Sequence, residues 1–143
     1  MTVGVRHTGI VVQDLEGAIK FWTELIGLEI SNSQLEEGPF IENLINLPGV
    51  KVHTVKLVCE DTSMIELLHF KHHTDKKYWG GKVYTTGITH IALNTKNIFE
   101  LSKKLESHGY NILNPIKISN DGAVYACYME TFEGLLLELV QVA

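Results

Sequence analysis

A chain of 143 residues is long enough for one domain with a substantial core and too short for two independent ones. Its 45% hydrophobic and 20% charged residues give the balance of an ordinary globular protein, and no apolar run approaches the ~20 residues of a membrane span. A net charge of -5, with no basic cluster beyond the isolated pairs Lys76-Lys77 and Lys103-Lys104, argues against nucleic acid as a partner.

His7 to Val12 reads as a short β-branched strand with His7, Gly9 and Val11 on one face. Asp14 is placed to cap a helix, whose apolar stripe is Ala18, Phe21, Trp22, Leu25 and Ile26 and whose stop is Gly27. Leu28 to Ser33 resumes as a strand. Phe40 to Leu47 then has the pattern of a short amphipathic helix ended by Pro48-Gly49, either a lid on the core or an apolar wall beside a ligand. Lys51 to Cys59 and Met64 to Phe70 form a hairpin around Glu60-Asp61-Thr62-Ser63. Residues 71–86 are a polar connector.

At Gly87 the chain begins again. Gly87 to Asn94 repeats the first strand, with Ile88, His90, Ala92 and Asn94 on one face. Asn97 and Glu100 make a capping box, and Ile98, Leu101 and Leu105 supply the stripe of a helix that ends at Gly109. Three strands follow at about 110–118, 122–130 and 134–142. The order is β-α-β-β-β twice: a single α+β domain of residues 1–143, with module one at about 1–70 and module two at 87–143. Each sheet is expected to be mixed, with a helix on one face and the other free to curl around a cavity. His7 lies 59 residues before Glu66 and His90 48 before Glu138, so the first module holds an insertion of 11, within residues 34–50.

The repeat extends to the polar residues. Each module opens on a His and closes on an apolar strand carrying one carboxylate, Met64-Ile65-Glu66-Leu67-Leu68 and Leu136-Leu137-Glu138-Leu139-Val140. A carboxylate within an apolar strand is costly unless it is paired, hydrogen-bonded or bound to a cation. One such Glu reads equally well as an edge residue facing water. Two at equivalent positions, each preceded by a His, suit one divalent transition metal: Zn, Ni, Co, Mn or Fe. The other histidines carry less. His69, His72 and His73 read as a surface cluster without a repeat partner, His108 suits a helix C-terminus, and His53 can face either way. Cys59 and Cys127 read as buried reduced thiols. With no basic-then-apolar leader, they point to a cytoplasmic protein. No G-x-S-x-G elbow, P-loop or G-x-G-x-x-G is present.

His7 ahead of Val11-Val12 and Asp14, Glu66 in Ile-Glu-Leu-Leu, His90 in Thr-His-Ile-Ala-Leu and Glu138 in Leu-Leu-Glu-Leu-Val resemble the vicinal oxygen chelate superfamily. That superfamily includes glyoxalase I, methylmalonyl-CoA epimerase, extradiol dioxygenases and the fosfomycin and bleomycin resistance proteins. The resemblance covers nearly the whole chain. It implies paired βαβββ modules forming a glyoxalase-like cup, with His7, Glu66, His90 and Glu138 at the metal. It further implies a small-molecule substrate and a homodimer, and leaves open whether one chain or two complete the cup. The implied chemistry is that of a lyase or isomerase: removal of a proton next to a metal-bound carbonyl, through an enediolate or enolate, with Glu138 as the first candidate base and Glu66 as the second. The alternatives are a non-catalytic binding or resistance protein on the same fold, a methylmalonyl-CoA-type epimerase and a ring-cleaving dioxygenase. Bacterial glyoxalase I usually carries an Arg four residues after the first His and an Asn four after the first Glu, which help hold glutathione. Here those places hold Val11 and Phe70. The strand from Lys51 to Cys59 likewise lacks the second carboxylate that a two-base epimerase needs.

Overall fold

The chain divides into two units, Met1–Lys76 and Lys77–Ala143, in a computed structural model that describes residues 1–143. The division falls inside the expected connector. No helix is long and apolar enough to cross a membrane.

The first unit runs β1 (Thr8–Val11), α1 (Leu15–Lys20), β2 (Glu29–Glu37), α2 (Pro39–Ile45), β3 (Lys51–Val58) and β4 (Met64–Phe70). Its sheet has the order β1-β4-β3-β2, with β1 parallel to β4 and the other neighbours antiparallel. Asp14 caps α1 as expected, accepting a hydrogen bond from the Gly17 N–H at 2.9 Å. The helix then widens into a π-helical turn over Phe21–Ile26, which periodicity alone did not indicate. Gly27, at φ 96°, ends it in the left-handed region, where a Cβ is unfavourable. β2 runs four residues beyond the expected Ser33. The core lies on one side of the sheet, where Val55, Leu57, Ile65 and Leu67 meet Phe21 and Trp22, all almost fully buried. Strand alternation therefore turns Lys56 and Glu66 to the opposite face.

α2 seats the insertion on the Glu66 face of the first sheet, opposite Phe21 and Trp22. Ile41 buries itself with Val50 and Val52 against Leu47, Leu68 and Phe70, whereas Phe40 and Leu44 face outward. Leu68 and Phe70 follow Glu66 on its own face of β4, so α2 covers one end of the row that carries the carboxylate.

The second unit runs β5 (Ile91–Asn94), α3 (Ile98–Ser107), β6 (Asn111–Ile112), β7 (Lys117–Ile118), β8 (Val124–Glu130) and β9 (Leu136–Val142). β5 is parallel to β9, β8 is antiparallel to β9, and β6 and β7 both pair with β8. Only the N-cap half of the capping box forms: Asn97 Oδ1 accepts from the Glu100 N–H at 3.1 Å, whereas Glu100 Oε2 accepts from the Asn97 side-chain Nδ2 at 3.1 Å and the Asn97 backbone N–H donates to Thr95 Oγ1 at 3.2 Å. Ile98 and Leu105 on α3 and Cys127, Met129, Leu137 and Leu139 on the sheet form the core.

Two strand expectations need correction. The strand expected at 110–118 is two short pieces, β6 and β7, because Pro115 has no N–H to donate to a ladder. The strand expected from Gly87 begins only at Ile91, which leaves His90 immediately before it and Ile88 exposed. Both units are nonetheless βαβββ folds with the same strand order, a mixed α+β architecture.

Candidate functional site

In each unit a parallel strand pair sets a small residue beside the carboxylate. Gly9 on β1 is the register partner of Glu66, and Ala92 on β5 is that of Glu138. Neither has a side chain beyond Cβ to fill the space above the sheet. The histidine two residues earlier, on the same face, can then lean across to the carboxylate. His7 Nε2 lies 3.5 Å from Glu66 Oε1, and His90 Nε2 lies 3.2 Å from Glu138 Oε2. All four side chains keep some exposure, from 13% at Glu66 to 32% at His90.

These spacings suit a shared cation. A first-row divalent metal binds imidazole nitrogen and carboxylate oxygen at ~2.0–2.2 Å, so neighbouring donors stand ~3.0–3.5 Å apart around it. The same spacings also close a charged hydrogen bond whenever the imidazole is protonated. The outer nitrogens differ. With Nε2 turned to the carboxylate, His90 Nδ1 faces Thr89 Oγ1 at 2.9 Å and donates to it when it carries the ring proton, which fixes the ring as ligand supports do. His7 Nδ1 is buried without a hydrogen-bond partner. No third His, Cys, Asp or Glu joins either pair to make a larger cluster. Donor chemistry and spacing thus fit two ligands per unit.

The antiparallel neighbour of each carboxylate completes the local environment, and here the units differ. Lys56 is the register partner of Glu66, its Nζ 3.9 Å from Oε2. Tyr128 is the register partner of Glu138. Its hydroxyl lies 3.3 Å from His90 Nε2 and donates to Glu138 Oε2 at 3.4 Å, while its ring stands edge-on to the imidazole with centroids 5.0 Å apart. Burial, and after it the Glu138 carboxylate, holds the phenol above its ordinary range, so it is protonated and a donor at neutral pH. The sequence reading passed over Tyr128 as one aromatic in an apolar strand. The signal was available, because Lys56 stands ten residues before Glu66 and Tyr128 ten before Glu138. Tyr128 also lines a cleft of about 630 Å³ in the second unit.

The remaining candidates take structural places. His69 is half-buried and not part of a surface cluster: its Nδ1 lies 3.2 Å from the Val12 carbonyl, so it ties β4 to the end of β1, while His72 and His73 are exposed. His53 is the register partner of His69 on the face away from Glu66, with Nε2 2.8 Å from Ser33 Oγ. His108 Nδ1 meets the Lys104 carbonyl at 2.8 Å at the end of α3. Cys127 is buried, and burial pushes its thiol up to about 11; Cys59 is only half-buried. β3 carries no carboxylate, and the group facing Glu66 from it is an ammonium.

The model of the Glyoxalase/Bleomycin resistance protein/Dioxygenase superfamily matches residues 4–139. The chain belongs to that superfamily. The match spans both His–Glu pairs and both βαβββ units. Lactoylglutathione lyase of Shigella flexneri is 25% identical over 137 residues, covering 94% of this chain and 90% of the relative. A probable lactoylglutathione lyase of Vibrio parahaemolyticus is 23% identical over 139 residues, 96% of this chain and 89% of the relative. Among solved structures, a glyoxalase family protein from Bacillus cereus superposes with a TM-score of 0.88 at 25% identity, over 99% of this chain and 95% of that one. A genomically encoded fosfomycin resistance protein from Listeria monocytogenes, complexed with Mn(II) and sulfate, shares the fold at a TM-score of 0.66 and 16% identity, over 100% of this chain and 95% of that one.

Proposed function

We propose that the protein is a divalent-metal-dependent lyase or isomerase of glyoxalase type, acting on a small molecule with an acidic C–H next to a carbonyl. The observation that carries this reading is the pair of His–Glu contacts, 3.5 Å and 3.2 Å, at equivalent positions of the two units. His7, Glu66, His90 and Glu138 are the residues that would hold the metal. When bound, a divalent ion supplies Lewis acidity that polarises the substrate carbonyl.

The chain's own groups do the rest. Glu138 takes the proton from the carbon next to the carbonyl, and the electron pair moves onto the carbonyl to give an enediolate or enolate. The same carboxylate returns the proton to the neighbouring carbon, so the net change is an isomerisation with no external oxidant or reductant. Tyr128 steers that carboxylate through its hydroxyl. Glu66 faces the Lys56 ammonium, with Nζ 3.9 Å from Oε2, and that contact supports it as a fixed ligand. One carboxylate faces a donor hydroxyl and the other an ammonium, a difference that supports Glu138 as the base.

The decisive experiment compares Glu138→Gln with the parent protein for exchange of the substrate α-proton into deuterated water, with bound metal measured on both. The expected loss is ~10²–10⁴-fold, the usual contribution of a general base. Full exchange by Glu138→Gln with metal still bound removes Glu138 from the base role. A protein that binds no divalent metal, and is indifferent to His7→Ala and His90→Ala, belongs with the non-catalytic binding proteins of the fold.

A further inference from the structure

The cleft beside Tyr128 exists because the fourth strand of the second unit is broken. Leu113 N–H still reaches the Tyr128 carbonyl at 2.9 Å, and pairing resumes only at Lys117, opposite Ala126. Between them Asn114 and Pro115 leave the ladder, and the hollow they open, with Val83 on its wall, has a volume of about 630 Å³. Its lining is mostly apolar, with no acidic side chain and a single cation, Lys117. None of the chain's ion pairs involves Lys117.

Register places that cation. Lys117 shares a face with its partner Ala126, and Tyr128 lies two residues farther along the same face of β8. Two residues of strand span ~7 Å. An anion at Lys117 and a reacting group at Tyr128 are thus separated by a body only a few carbons long.

We infer that this cleft takes the non-reacting part of the substrate, and that the substrate is a small monoacid: a short apolar body with its reactive carbonyl toward Tyr128 and its anionic group at Lys117. This deepens the proposed proton-transfer function and rests on it. A glutathione adduct matches the cleft poorly. It brings two carboxylates, an ammonium and two amide bonds, against one cation, no acid and a largely apolar wall.

The test is binding of 4-oxopentanoate, whose carbonyl and carboxylate are separated by two methylenes, and of its uncharged analogue 4-oxopentanamide to the full chain, by nitrogen-15 NMR, in metal-depleted and metal-loaded protein. Shifts at Ala126 and Tyr128 locate the ligand, and titration gives the affinity. The acid is expected to bind about three- to fivefold more tightly than the amide, the scale of an exposed ion pair, and added salt to erode the difference. Lys117→Gln, at an exposed site that leaves the core alone, abolishes the preference, and Lys117→Arg keeps it. Equal binding of acid and amide, a preference that survives Lys117→Gln, or tighter binding of glutathione than of the acid overturns the inference. Its failure is separable from failure of the proposed function. Lys117-dependent binding without metal-dependent proton exchange rejects the reaction and keeps the cleft, and the reverse result rejects the cleft and keeps the reaction.

Discussion

Removing one oxygen atom at position 128 measures how much the second unit's His–Glu pair depends on its neighbour. Tyr128→Phe leaves the half-buried ring and its edge-on contact with His90 in place and deletes only the hydroxyl between His90 Nε2 and Glu138 Oε2. The two contacts, 3.3 Å and 3.4 Å, are longer than the ~2.7–2.8 Å of a strong O–H···O bond. A hydrogen bond to a charged group usually contributes ~1.5–3 kcal/mol. At these lengths, and with Glu138 partly exposed, about 1 kcal/mol is the reasonable figure, equivalent to about a fivefold change in binding. That lies just below the ~10–100-fold typical of groups that orient metal ligands. Isothermal titration of Mn(II) or Zn(II) into metal-depleted protein should therefore show Tyr128→Phe binding about fivefold more weakly, against near-complete loss in His90→Ala. Unchanged affinity makes the hydroxyl a bystander. Loss as severe as that of His90→Ala makes it a ligand in its own right. Either result refutes the reasoning.

Two further outcomes follow from local chemistry. Asn97→Ala removes the N-cap and the side-chain bond to Glu100 and should lower unfolding stability by ~1 kcal/mol in urea titration, with no effect on metal affinity. Burial raises the Cys127 thiol to about 11, so the folded state favours the protonated form; that stability is complete below the ordinary thiol value of 9.0 and is lost as pH rises from there through about 11. Iodoacetamide at pH 8 should accordingly label Cys59 in the native protein and Cys127 only after unfolding, read by peptide mass mapping. Equal labelling rates would falsify the buried-thiol assignment.

What the sequence made legible was local or periodic. The Asn97 and Asp14 N-caps are short-range patterns and formed as read, although Glu100 does not close the box on the Asn97 backbone N–H. Met64–Phe70 alternates cleanly and is a strand over those residues. The repeat marked His7, Glu66, His90 and Glu138 as equivalent positions for one cation, and the structure brings them together as two pairs, His7 with Glu66 and His90 with Glu138. Features that depend on partners in space were not legible. The π-helical turn at Phe21–Ile26 places both Phe21 and Trp22 in the core, and no composition rule marks it. His69 read as surface because its acceptor, the Val12 carbonyl, lies 57 residues away. The break at Asn114-Pro115 could have been taken from the proline, yet the flanking apolar residues outweighed it. Tyr128 was readable only through the repeat, ten residues before Glu138 as Lys56 is before Glu66, because the hairpin register that seats it there depends on how the turn through Phe132–Gly134 is built.

The contrast between Lys56 and Tyr128 bears on how the protein would load its ion. Glu66 already faces an ammonium, so a cation arriving there must displace or crowd a resident positive charge. Glu138 faces a neutral phenol in the place where Glu66 faces Lys56. On the proposed reading Glu138 is the more open of the two carboxylates to an arriving cation, and that difference is written into a single residue on the strand next to each carboxylate.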